Sequence, residues 1–115
     1  MISERDLVYL RHIRDAILQI QEYVRGVDES EFRDDEILQD ALIRQLSIIG
    51  EAAGQLSDET RRQAPSVPWT DIYGMRNKLV HDYFGVDLDA AWDTVQKDLD
   101  PLLQKVEDLI DEAQG

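Results

Sequence analysis

The sequence predicts an all-α protein, a four-helix up-and-down bundle with a kinked last helix. Three observations support this. Apolar residues recur at three- and four-residue steps in four separate segments, residues suited to starting or stopping helices stand at their ends, and no stretch shows the period-two alternation of a strand. At 115 residues the chain is expected to form one domain, 1–115. A chain of that length buries about two thirds of the surface its unfolded form exposes, so one real core is feasible.

The elements follow in order. Leu7, Leu10, Ile13, Ile17, Ile20 and Val24 give a first helix over 4–25, with Ser3 as N-cap and Gly26 as terminator. Leu38, Ala41, Leu42, Gln45, Ile48, Ile49, Ala52 and Leu56 give a second over about 34–56, whose acidic start "DDE" suits the positive end of a helix dipole. Its run "GEAAG" (50–54) is small enough for another backbone to come close, at some cost in helix propensity. Residues 56–71 read as a connection: Ser57, Glu59 and Thr60 can start a short helical turn, and Pro65 and Pro68 prevent anything long. Thr70 is expected to cap a third helix ending near Tyr83 and Phe84, with Gly85 as terminator. Leu88, Trp92, Val95, Leu99, Leu102, Val106 and Ile110 form one stripe of a fourth over about 89–113. Pro101 should bend it, because proline deletes the bond to residue 97 and crowds that carbonyl.

Composition removes several classes of function. Apolar residues make up 43% and charged ones 32%, a globular profile. There are no cysteines, which excludes disulfides, thiolate chemistry and cysteine-ligated zinc. The N-terminus carries charges throughout, and nowhere do 18 apolar residues run together, so a cytoplasmic protein without membrane contact is expected. Twelve basic against 25 acidic residues, a net charge of −13, argue against broad phosphate-backbone binding, which needs a cationic face. The acid concentrates in 27–40 and 87–100, both expected to be solvated. Residues 61–81 reverse the sign: Arg61, Arg62, Arg76, Lys78 and His81 stand there against Asp71 alone.

That reversal peaks in "MRNKLVHDYFGVD" (75–87), where Arg76, Asn77, Lys78, His81 and Tyr83 fall within eight positions. Read as an ordinary helix, Ile72, Met75, Leu79 and Val80 attach the segment to the core and the polar residues face water. Read as a site, the residues suit phosphodiester cleavage of RNA without a metal or other cofactor. A neutral imidazole takes the proton of a 2′-OH, a guanidinium holds the phosphate, and an amide or phenol orients the nucleophile. On a regular helix Arg76 and His81 point about 140° apart. A compact pair therefore needs the helix to end at His81, or a second copy of the chain to complete the site across a two-fold axis.

Arg76 followed after four residues by His81 and then Tyr83, with Asn77 after the arginine, resembles the signature of the HEPN superfamily. "GEAAGQLSDETRRQAPSVPWTDIYGMRNKLVHDYFGVD" (50–87) and Trp92 are similar to its HepT-like branch, the toxins encoded beside a minimal nucleotidyltransferase antitoxin. The resemblance extends over nearly the whole chain. It implies a homodimer with the motif helices at the interface and a metal-independent endoribonuclease site there, in which Arg76 and His81 match the catalytic pair and Asn77 the polar residue after the arginine. Tyr83 matches the tyrosine that the antitoxin modifies with AMP, and Arg76 and Lys78 would hold RNA phosphate.

The competing reading is a non-catalytic module whose dimer cleft holds a nucleotide or docks the nucleotidyltransferase, since a fold does not decide activity. Smaller expectations complete the list. His12 is a surface or boundary histidine, and Trp69 and Trp92 are core or interface anchors, Trp69 pinning the start of the third helix. Glu51 is either solvated or a buried partner of Arg76, and Arg61 and Arg62 are solvated unless they widen a cationic groove.

Overall fold

Short polar side chains place most of the helix starts. In the computed structural model, which describes residues 2–75, 77, 80, 81 and 85–114 (the backbone alone at 80, 81, 85 and 86), Ser3 Oγ accepts the Asp6 amide at 3.1 Å and opens α1, Glu4–Tyr23. Gly26 follows with a φ of +72°, a left-handed conformation that a side chain would resist. Asp35 accepts the Leu38 amide at 3.0 Å and opens α3, Glu36–Gln55. Ser57 accepts the Thr60 amide and opens α4, Asp58–Arg62. Asp87 does the same from Ala90 for α6, Leu88–Asp93.

Two elements were not expected. Asp28 caps a short α2, Glu29–Asp34, by accepting the Glu31 amide at 2.8 Å, and Phe32 buries itself from that helix. Val80–His81 (β1) pairs antiparallel with Gly85–Val86 (β2), Val80 opposite Val86 and His81 opposite Gly85. The expected third helix is correspondingly shorter. Its α5 runs Trp69–Tyr73, and Gly74 leaves it at φ −86°, ψ 2°. Met75 and Asn77 are helical again, but Val80 and His81 are extended. Thr70 is not the cap. Pro68 occupies that position without a side-chain bond, its missing N–H costing nothing where helix amides have no partner anyway.

The last helix breaks where Pro101 required it. Residues Thr94–Asp98 form a π-helical turn between α6 and α7, Leu99–Gln114. A wider turn lets the ladder step past the donor that proline lacks.

Arg5, at the start of α1, donates to the Gln55 carbonyl at 2.7 Å and to its side chain at 2.9 Å, at the end of α3. Gln21, near the end of α1, bonds Asp100 at the start of α7 at 2.6 Å. Thus α1 runs antiparallel to both α3 and α7. Its stripe Leu10, Ile13, Ile17 and Ile20 meets Leu42, Leu46 and Ile49 of α3 and Leu99, Val106 and Ile110 of α7. Each such side chain contributes about 1.5–3 kcal/mol on burial, so this seam dominates the stabilisation. Phe32 and Trp92 pack at 5.2 Å between centroids, and Arg33 pairs with Asp89, tying α2 to α6. The fold is all-α apart from the two-residue ladder. Among the described residues no helix is long and apolar enough to cross a membrane.

Two polar clusters fix the connection that leads to the motif. Asp6 is 1% exposed and accepts from Ser57 Oγ at 2.5 Å, Thr60 Oγ1 at 2.6 Å and the Ser57 amide at 3.2 Å. Burial by itself would raise its pKa. The bonds from Ser57 and Thr60, with the charge of Arg5, outweigh burial and hold the carboxyl below its ordinary value. In the second cluster Arg61 donates to the carbonyls of Ala53 and Gly54 at 3.0 and 3.1 Å, the negative end of α3. The buried Trp69 indole N–H is shared between the carbonyls of Arg61 and Ala64, each at 3.2 Å.

Both clusters give measurable expectations. A carboxyl whose folded pKa lies below 3.8 adds stability that is fully present above that pH and is lost as pH falls through the lower folded value. Asp6→Asn should therefore cost about 1–3 kcal/mol at pH 7 in urea unfolding, with the gap to wild type closing in acid. A gap unchanged at pH 2.5 would contradict the role given to the carboxylate. Trp69→Phe keeps the ring but removes the N–H, and should cost about 1–2 kcal/mol with the denaturant slope unchanged.

Candidate nucleic-acid site

The small residues of α3 bring the motif segment in. A Cβ placed on Gly50 would lie 3.2 Å from the carbonyl oxygens of both Ile72 and Tyr73, tighter than side chains ordinarily pack. A Cβ on Gly54 would overlap the Tyr73 ring at Cδ2 and Cε2. The "GEAAG" run thus lets the backbone of α5 lie directly on α3, as its composition suggested. Ile72 and Met75 are buried on the inner side of this segment, whereas Tyr73 and Asn77 face solvent.

The proposed site residues divide as follows. Asn77 is helical and exposed. His81 has extended backbone in β1, not the helical backbone the sequence suggested. The helical backbone at Asn77 gives way to extended backbone by Val80, so the regular helix assumed for the segment does not reach His81. Arg76, Lys78 and Tyr83 lie outside the described residues. Their expected roles in holding phosphate and accepting AMP therefore rest on the sequence.

The inner side of the segment borders a groove of about 420 Å³, formed with the π-helical turn and the start of α7. Val67, Ile72, Met75 and Leu102 supply its apolar floor, and Lys97 and Lys105 are on its rim with Asp98 and Asp71. Asp71 is already engaged by a partner. The carboxylates balance the lysines, so this groove carries no net charge of its own.

The remaining expectations resolve from burial. Glu51 is exposed, so the solvated alternative holds for it. His12 is exposed and meets Tyr9 edge-on at 5.8 Å. Trp69 is a buried anchor, and Trp92 is half-buried against Phe32. Arg62 is exposed, but Arg61 is not simply solvated, since its guanidinium caps α3. Sequence reasoning passed over Asp6 and Tyr73. Asp6 carried no signal, because its partners are about fifty residues away. For Tyr73, an aromatic between the buried positions of Ile72 and Met75 was a usable one. No group of three or more histidines and carboxylates suited to a metal occurs among the described residues.

Comparison with known proteins bears on the whole chain. The family model described as "Ribonuclease HepT-like" matches residues 13–109. The "Probable ribonuclease HepT" of Thermococcus cleftensis is 42% identical over 101 residues, 88% of this chain and 92% of its own. "Putative RNase TTE0752" of Caldanaerobacter subterraneus is 39% identical over 102 residues, 89% of this chain and 91% of its own. "Gamma-glutamylcyclotransferase and putative RNase MJ0434" of Methanocaldococcus jannaschii is 39% identical over 105 residues, and the chain spans only about half of that protein, 47%. No solved structure matches significantly. With its motif set on an all-α frame and a family match over most of its length, the chain belongs to the HepT-like ribonuclease family.

Proposed function

We propose that the chain is a metal-independent endoribonuclease, the toxin of a toxin–antitoxin pair, acting as a homodimer. The observation that carries the reading is family membership over 13–109 with Arg76, Asn77, His81 and Tyr83 all present in the motif order. Two copies would bring their 76–83 segments together, so that guanidinium and imidazole groups from both line one trough. The neutral imidazole of one His81 takes the proton of the 2′-OH, and the 2′ oxygen attacks the adjacent phosphorus. Arg76 of the other copy neutralises the growing phosphoryl charge, and the imidazolium passes its proton through water to the departing 5′ oxygen. A 2′,3′-cyclic phosphate and a free 5′-OH result. Asn77, exposed on the same segment, would orient the 2′-OH, and Lys78 would add a phosphate contact.

Control follows from the same motif. A nucleotidyltransferase antitoxin would transfer adenylate from ATP to the Tyr83 phenol oxygen, releasing pyrophosphate. The added bulk and negative charge beside Arg76 would close the trough to RNA.

Expressed alone, the chain should cleave RNA in the presence of EDTA, and His81→Ala should reduce the rate by about 10²-fold or more without changing the far-UV spectrum. Harmless expression of both proteins, with no cleavage, would favour the non-catalytic module. Co-expression with the adjacent nucleotidyltransferase should add the mass of one adenylate, and Tyr83→Phe should abolish that gain.

A further inference from the structure

We propose that Tyr73 is a stacking platform that holds one unpaired base of the RNA substrate beside the site. The inference rests on the ribonuclease reading and adds the feature by which the site chooses its substrate.

Three observations converge on this ring. Tyr73 is 64% exposed, whereas its neighbours Ile72 and Met75 are buried at 6% and 7%. Its ring edge is seated where Gly54 has no side chain, so α3 backs the ring while its open part faces solvent. It also lies four residues before Asn77, and both are exposed on one segment. A base bound there would lie beside the segment that carries the proposed reacting groups.

The charge of the protein says which kind of RNA fits. A chain of net charge −13 cannot draw its affinity from a duplex backbone, because that requires many phosphate contacts with cations. Stacking on an aromatic ring needs no cation and accepts any base, but the base must be out of a helix. A few motif cations and one exposed ring are the combination that suits a short unpaired stretch.

The test uses a 2′-O-methyl RNA strand, which lacks the nucleophile and stays intact, with 2-aminopurine at one position. Wild type and Tyr73→Phe should bind it and quench the fluorophore. Tyr73→Ala should bind it about tenfold more weakly, the scale of one lost stack, with quenching gone. Gly54→Ala, which pushes the ring from its seat but keeps it, should weaken the quenching. The same sequence in a duplex should neither bind tightly nor quench. Affinity and quenching unchanged in Tyr73→Ala would overturn the inference. So would a loss of binding accompanied by conversion to monomers in light scattering, since Tyr73 would then be a contact between copies. Cleavage of unmodified RNA by wild type reports separately on the ribonuclease reading: binding with quenching but no cleavage would retain the platform and remove the catalysis.

Discussion

The close approach of α5 to α3 at Gly50 is the constraint on which the rest depends. Two glycines inside one helix cost about 1 kcal/mol each in propensity. That cost is offset by a backbone contact that a larger residue would push apart, since a Gly50 Cβ would stand 3.2 Å from the carbonyl oxygens of Ile72 and Tyr73. Arg61 holds the end of α3 from one side, and Trp69 holds α4 to the start of α5 from the other. Main-chain packing and these two clamps therefore set the entry to the segment that carries Asn77 and leads to His81.

This arrangement separates two tasks. The inner side of the segment, Ile72 and Met75, secures the fold, which leaves Tyr73 and Asn77 free to meet something else. The acidic runs lie mostly at the surface: Asp34, Asp35, Glu36 and Asp40 are exposed, as are Asp87, Asp89, Asp93, Asp98 and Asp100. An anionic exterior that reverses sign only over 61–81 discourages indiscriminate nucleic-acid binding and leaves recognition to a small site.

Much of this was legible because it is local. Ser3, Asp35 and Ser57 capped where their side chains can reach amides three residues on, Gly26 took the left-handed turn, and Pro101 forced an irregular turn just before it. Asp28 and Glu31 carry the same capping signal inside the acidic run 27–40. What the sequence did not disclose depends on distant partners. Ile72, Met75, Leu79 and Val80 read as one helical stripe, yet Val80 pairs with Val86, and no local periodicity reports such a contact. Asp6 is buried only because Ser57 and Thr60 arrive to satisfy it. The motif itself was legible as chemistry, whereas the meeting of two copies proposed for it is nothing that one chain's pattern encodes.

A shared site makes a demand that a site within one copy does not. Arg76→Ala and His81→Ala chains, each inactive alone, can be mixed, unfolded and refolded together, and the mixed dimer isolated by two tags. If guanidinium and imidazole meet across the two-fold axis, the mixed dimer contains one intact pair and regains RNA cleavage. A mixed dimer that forms and stays inactive would contradict the account.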